Sequence, residues 1–130
     1  MAVRLIFDSS ALVAYAELTS IAPGELILQV EEGGDTVGVC APALIEAYQQ
    51  CKTDGRARLL NLVHRDDTPV AILPLTGEHA IGVASITTTG HSTGRVHSAI
   101  ESAVVHRCNL VTAHRAELER LVDPDTILDV

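Results

Sequence analysis

The sequence predicts an α/β fold: a three-layer α/β/α sandwich around a mainly parallel sheet of about five strands. Short apolar, β-branched runs alternate with longer segments of helical periodicity. The predicted order is strand, two helices, strand, two helices, strand, two helices, strand, helix, strand. Helical crossovers of this kind connect parallel strands with a right-handed turn. Polar residues at the carboxyl ends of the strands should therefore meet along one edge of the sheet.

Length and composition indicate one domain spanning residues 1–130, cytoplasmic and not bound to a membrane. A chain of 130 residues buries a core without disulfides. Its cysteines, Cys40, Cys51 and Cys108, form no CxxC pair and are odd in number, which indicates packed thiols in a reducing compartment. We find no signal peptide and no apolar run of the ~20 residues that a membrane span requires.

The charge balance excludes some nucleic-acid binders. A net charge of −8 and a single lysine argue against a general basic surface that coats nucleic acid. One Phe, two Tyr and no Trp leave no aromatic platform on which single-stranded bases could stack. A nucleic-acid enzyme whose acidic site recruits divalent cations is still compatible with this composition.

The chain begins with a predicted strand that turns directly into a helix. Residues 2–7 are an apolar run that ends at Asp8, and residues 9–17 have helical spacing. Asp8 thus lies at the carboxyl end of a strand. The position suits both an ordinary helix cap and a residue with a chemical role.

In the middle of the chain, Pro, Gly and Asp residues indicate where the predicted helices and strands begin and end. We predict helices at 23–32, 41–48 and 54–64 and strands at 35–40 and 68–75. Pro69 and Pro74 stand at the ends of the third strand, where prolines are tolerated. Glu46 falls about one turn into its helix, near the end of the second strand. It is either a crevice residue or an exposed helix glutamate.

The last third of the chain continues the alternation. We predict a helix at 76–86, a loop at 87–94, a helix at 95–106, a strand at 109–113, a helix at 114–121 and a strand at 126–130. This topology should bring Arg95 and the turn from Thr112 to His114 to the edge that holds Asp8 and Glu46.

Four segments carry a resemblance to a known family. They are Phe7–Leu12, Pro42–Glu46, Arg95–Ile100 and Leu110–His114. With these segments the chain resembles PIN domains, and among them the VapC-type toxins. The resemblance implies a Mg²⁺- or Mn²⁺-dependent endoribonuclease that acts on RNA, forms a homodimer and binds a small antitoxin-like protein. The family normally has Asp where this chain has Arg95 and His114.

On this resemblance Asp8 and Glu46 would be catalytic residues and metal ligands, and His114 a further catalytic residue. Ser10, Arg95 and Thr112 would contact the substrate. Metal-assisted phosphodiester cleavage needs several hard oxygen ligands in one crevice, so two carboxylates leave the acid cluster incomplete. A guanidinium at position 95 repels Mg²⁺, and it could pair with Asp8 or Glu46.

Two nearby acids are candidate substitutes for the missing ligands. Glu101 lies six residues after Arg95, roughly 240° around a helix, and should point elsewhere. Glu117 lies three residues after His114, close to one helical turn. It is either a substitute ligand or an exposed helix acid. His114 could instead ligate a softer metal such as Mn²⁺ or Zn²⁺, or act as a general acid or base without metal, with His91 and His97 nearby.

The histidines lack the short spacings of a zinc site. The simpler alternative is therefore that His97 packs near a helix start and that His114 begins a helix. Two functions remain open. One is a PIN-like nuclease whose activity is weak or lost. The other is a non-catalytic PIN-like module that binds protein or nucleic acid. An Arg95 inside the crevice would compete with a basic antitoxin side chain.

Overall fold

The computed structural model describes residues 2–87 and 90–130. The five strands are β1 (Val3–Phe7), β2 (Thr36–Cys40), β3 (Val70–Leu73), β4 (Asn109–Thr112) and β5 (Ile127–Asp129). The helices of the described residues are α1 (Ser9–Ala16), α2 (Ala22–Glu32), α3 (Ala41–Gln50), α4 (Thr53–His64), α5 (Gly77–Thr87), α6 (Thr93–Ile100) and α7 (Arg115–Leu118). A π-helical turn, Glu101–Val105, follows α6, and a 3₁₀ turn, Pro124–Thr126, precedes β5.

The strands form a single parallel sheet in the order β3-β2-β1-β4-β5. Ile6 of the central strand aligns with Gly38 on β2 and with Leu110 on β4. Because all strands run in the same direction, their carboxyl ends lie along one edge of the sheet. The predicted α/β sandwich with a parallel sheet of five strands is confirmed.

Helices cover the sheet on both faces, because alternate side chains of each strand point to opposite sides. On one face Phe7 packs with Leu12, Ile27 and Leu59, which belong to α1, α2 and α4. On the other face Ile6 belongs to a second buried cluster with Ala43, Ala99, Leu110 and Leu118. Two apolar cores therefore hold β1 and the turn after it in a fixed position.

Some predicted boundaries were wrong by a few residues. The loop predicted for 87–94 is shorter, since Thr87 ends α5 and α6 begins at Thr93; residues 88 and 89 lie outside the described residues. The helix predicted for 95–106 becomes a π-helix after Ile100, and the one predicted for 114–121 is only Arg115–Leu118. The third strand is confined between Pro69 and Pro74 and lies at the sheet edge, which explains why prolines flank it.

The three cysteines are free thiols. Cys40 and Cys51 are buried and Cys108 is partly buried against the second core cluster, in agreement with the predicted packing role. Burial raises the pKa of Cys40 to about 12 and that of Cys108 to about 11. Burial, with Glu17 nearby, also raises the pKa of Cys51. All three should therefore stay as protonated thiols at neutral pH.

We expect a thiol reagent such as Ellman's reagent to react slowly with the folded protein at pH 8, because the thiolate is the reactive form. Cys108 should react first, since it is the least buried of the three. The measurement compares the rate in native buffer with the rate in guanidinium chloride, where all three thiols should react at once. Fast labelling of Cys40 in native buffer would contradict the packing shown here.

Across the described residues, no helix is both long and apolar enough to cross a lipid bilayer.

Candidate functional site

Asp8 lies where β1 ends and α1 begins, and its carboxylate is only 2% exposed. It caps α1 by accepting a hydrogen bond from the backbone N–H of Ala11 at 2.9 Å. It also accepts hydrogen bonds from the hydroxyls of Ser10 and Thr112, each at 2.6 Å. The positive end of the helix dipole and these three donors stabilise the buried carboxylate, which forms no ion pair with any residue of the described ranges.

Ser10 and Thr112 connect the start of α1 to the end of β4. Their hydroxyl oxygens lie 3.2 Å apart. The Ser10 hydroxyl accepts a hydrogen bond from Ala113 N–H at 2.8 Å, and the Thr112 hydroxyl accepts one from His114 N–H at 2.9 Å. The structure thus brings Asp8, Ser10 and Thr112 into one network, as the strand-end argument predicted.

Glu46, on α3, occupies a second position at this edge and is partly exposed. Its carboxylate accepts hydrogen bonds from the Ser92 hydroxyl at 3.0 Å and from Gly94 N–H at 2.8 Å. Ser92 is itself the N-cap of α6 and accepts a hydrogen bond from Arg95 N–H at 3.1 Å. Glu46 therefore satisfies donors at the start of α6 and fixes α6 against α3.

Arg95 forms an ion pair with Glu117, through Nη2 and Oε2. From the sequence Arg95 could pair with Asp8 or Glu46, whereas in the structure its partner is Glu117 of α7. The side chain of Arg95 is 22% exposed and that of Glu117 is 51% exposed. Glu117 is thus an exposed helix acid, one of the two predicted alternatives, and its carboxylate is paired with Arg95.

His114 begins α7 as its N-cap residue, and its side chain is exposed. Its imidazole has no hydrogen-bond partner among residues 2–87 and 90–130. The position agrees with the simpler prediction that His114 starts a helix. It reaches the Asp8 network through its backbone N–H, which donates to Thr112.

Glu101 points away from this edge, as predicted, into a separate buried cluster. Its carboxylate lies 3.1 Å from Nε2 of His97 and 3.4 Å from Nε2 of His106. The π-helical turn explains the second contact, because i→i+5 bonding stacks His106 over Glu101, with a 2.9 Å bond from His106 N–H to the Glu101 carbonyl. His97 is fully buried, so its predicted packing role is confirmed.

Burial lowers the pKa of His97, although the hydrogen bond to Glu101 opposes this effect. A histidine whose pKa is lower in the folded state takes up a proton more readily when the chain unfolds. The free energy of unfolding should therefore fall as the pH drops below the ordinary histidine value of 6.5.

The check on His97 is urea unfolding over a pH series, with His97→Gln and, as a control, the exposed His64→Gln. The dependence on pH below 6.5 should be shallower in His97→Gln and unchanged in the control. Equal slopes in all three proteins would show that His97 is not the titrating group.

The two predicted carboxylates of this edge are already hydrogen-bonded within the chain. Asp8 and Glu46 each face donors of the chain, and Arg95 adds a positive charge at the same edge. Among the residues that the structure describes, no three His, Cys, Asp or Glu side chains are grouped so that they could hold a metal ion. Divalent cations of this type prefer several clustered oxygen ligands.

Sequence reasoning missed Ser92, Gly94 and the partner role of Glu117. Ser92 carries a local signal, since Ser directly before a helix is a common N-cap, and it marks the true start of α6. Gly94 and Glu117 act through neighbours on other helices, and nothing in the local sequence indicates those contacts.

Membership of the PIN family stays a prediction that depends on the four sequence segments and on a fold of the expected class. Comparison of the chain with protein-family models, with curated proteins and with solved structures returned no match.

Proposed function

We propose that the chain is a cytoplasmic, PIN-like (VapC-type) endoribonuclease scaffold in which metal-dependent cleavage of RNA is weak or lost. The observation that supports this proposal is the internal use of the expected site. Asp8 and Glu46 bind donors of their own chain, and Arg95 and His114 stand where the resembled family has two further acids.

The physical reason is competition for the carboxylate oxygens. A divalent ion at Asp8 would have to share the carboxylate with Ala11 N–H, Ser10 and Thr112, which already use three of its roughly four acceptor sites. An ion at Glu46 would have to share that carboxylate with the two donors that begin α6. The permanent cation of Arg95, which lies on the helix that Glu46 contacts, stands where the resembled family has an acid that would attract such an ion.

The second candidate function is a binding module that does not cleave. The protein partners implied by the resemblance, a second copy of the chain and a small antitoxin-like protein, would require exposed apolar surface. Leu18, Ile21 and Ile81 are among the large apolar side chains on the surface, and they are 69%, 80% and 76% exposed. These residues are where we propose to look for such partners.

The test of the nuclease proposal measures cleavage of labelled RNA in Mg²⁺ and in Mn²⁺. The parent protein should stay close to the background of Asp8→Asn, which removes one carboxylate but keeps its shape. A paired change, Arg95→Asp with His114→Asp, should create cleavage above that background, because it restores two acids and releases Glu117 from its ion pair. Thermal unfolding shows whether each variant is folded.

Two results would count against this proposal. Strong metal-dependent cleavage by the parent that Asp8→Asn abolishes would show that the acid cluster is sufficient as it stands. A folded double variant without cleavage, even when Asp8 and Glu46 are intact, would show that this edge is not a nuclease site.

A further inference from the structure

A cleft of about 380 Å³ lies beside the Arg95–Glu117 ion pair. Its lining residues are Gly90, His91, Arg95, Ala116, Glu117 and Arg120. The residues that line the cleft thus include two arginines and a histidine but one acid, Glu117. In a chain with 9 basic and 17 acidic residues, such a local excess of positive charge is the reverse of the overall balance.

The arginines of this cleft differ from others in the chain. Arg4, Arg65 and Arg115 each contact an Asp carboxylate, at 2.6, 2.6 and 2.8 Å. Arg120 and His91, by contrast, have no side-chain hydrogen bond or ion pair to any residue in the two described ranges. Arg95 uses one of its two terminal nitrogens for Glu117, so further donors are left over.

We propose that this cleft binds a phosphate group of single-stranded RNA, without a metal ion and without cleavage. The two non-bridging oxygens of an RNA phosphate can each accept charge-assisted hydrogen bonds from a guanidinium group, and guanidinium geometry matches phosphate. The volume also exceeds that of one phosphate and suits a nucleotide. The choice of RNA rests on the proposed PIN-like function, whereas the phosphate chemistry rests on the cleft.

Substitution of Glu117 should change the affinity for RNA in the opposite direction to substitution of the two arginines. In the free protein the Glu117 carboxylate forms an ion pair with Arg95, so an incoming phosphate must compete with Glu117 for that guanidinium group. Glu117→Gln should therefore tighten binding. Arg95→Gln and Arg120→Gln should each weaken binding by about fivefold, the effect of losing one charge-assisted contact at a partly solvated site.

The experiment is fluorescence anisotropy of a short labelled single-stranded RNA in EDTA, so that its outcome is separate from that of the metal-dependent cleavage assay. Glu119→Gln is the matched control for Glu117, since it removes the same charge from a side chain that contacts Arg115 outside the cleft. Arg65→Gln is the matched control for the arginines. Both controls should bind RNA as the parent does.

The salt dependence identifies the number of phosphates involved. With single-stranded nucleic acid the logarithm of the affinity changes by about −0.7 per phosphate for each unit of log salt concentration. One phosphate that bridges both arginines should give a slope near −0.7 in the parent, whereas a slope near −1.4 would mean that each arginine meets its own phosphate and would contradict the bridged site. Competition by uridine 5′-monophosphate and by inorganic phosphate distinguishes a nucleotide ligand from a bare phosphate, and either supports the cleft as a phosphate site.

Other outcomes would overturn the proposal. Equal affinity for RNA in Glu117→Gln, Arg120→Gln and the two controls would show that the cleft does not bind the RNA. An absence of binding at low salt in both the parent and Glu117→Gln would do the same. Competition by polyglutamate but not by phosphate would replace the proposal with a site for an acidic protein segment.

Discussion

Replacing Asp8 by alanine is expected to lower the free energy of unfolding by about 3 kcal/mol, the combined cost of losing a helix cap and leaving buried donors unpaired. The carboxylate is 2% exposed and accepts hydrogen bonds from Ala11 N–H, from Ser10 and from Thr112. Alanine fills the same turn but accepts nothing. The Thr112 hydroxyl, which is fully buried, would then lack its carboxylate acceptor.

The free energy of unfolding in urea is measured for Asp8→Ala, Asp8→Asn and Thr112→Val. The comparison distinguishes the effects of the shape, the charge and the hydrogen bonds of the Asp8 side chain. Asp8→Asn should cost only about 1 kcal/mol, because its oxygen can still cap α1 and its amide can donate to Thr112 once that hydroxyl rotates. The effects of Asp8→Ala and Thr112→Val should not add, since both remove the same bond. A loss below 1 kcal/mol in Asp8→Ala would show that the network contributes little to stability.

The same comparison separates a structural Asp8 from a catalytic one. If Asp8 mainly holds α1 against β4, the stability of Asp8→Asn changes little and no activity is lost with it. If Asp8 is also catalytic, Asp8→Asn should abolish metal-dependent cleavage while the protein stays folded. The buried network of Asp8, Ser10 and Thr112 favours the first outcome.

The part of this edge that could be predicted from sequence is the part encoded locally. An apolar run that ends at Asp8 and continues as a helix predicts β1, the cap and α1 without reference to any other segment. Alternation of strands and helices then predicts that Thr112 lies at the same edge, and the structure confirms that it contacts Asp8.

The partners of Arg95 and Glu46 could not be predicted in this way. Arg95 contacts Glu117 because its long side chain reaches from α6 to α7, which depends on where the fold places the two helices. Glu46 contacts Gly94 because α3 and α6 approach closely. A charge in a sequence does not reveal which of several acids will reach it, since the answer depends on distances between helices that follow different strands.

The π-helical turn escaped prediction for a related reason. The apolar spacing of residues 95–106 is that of a continuous α-helix, so the pattern alone favours one. The structure shows a change to i→i+5 bonding, and with it Glu101 reaches both His97 and His106. The π-helical turn and the contacts of the buried Glu101 carboxylate occur together. Hydrophobic periodicity predicts neither of them.

Replacing Gly94 by alanine is expected to lower the free energy of unfolding by about 2 kcal/mol, although alanine is normally the better helix former. A methyl group at this position would lie 2.8 Å from the Cα atom of Ala43 and 2.5 Å from Oε1 of Glu46. The Glu46 side chain can move aside, but the backbone of Ala43 cannot do so without displacing α3. The added methyl group should thus separate α3 from α6 and weaken the bond from Gly94 N–H to Glu46.

Gly82→Ala is the matched control, because Gly82 lies within α5 and no described atom comes within 4 Å of a methyl group built there. It should stabilise the protein by about 0.5–1 kcal/mol, the ordinary gain of alanine over glycine in a helix. Glu46→Ala in the Gly94→Ala background tests which contact matters. If the added methyl group clashes with the backbone of Ala43, removal of the Glu46 side chain will not restore stability. Full recovery of stability would show that the methyl group clashed with the Glu46 carboxylate and that α3 and α6 are far enough apart to accept it.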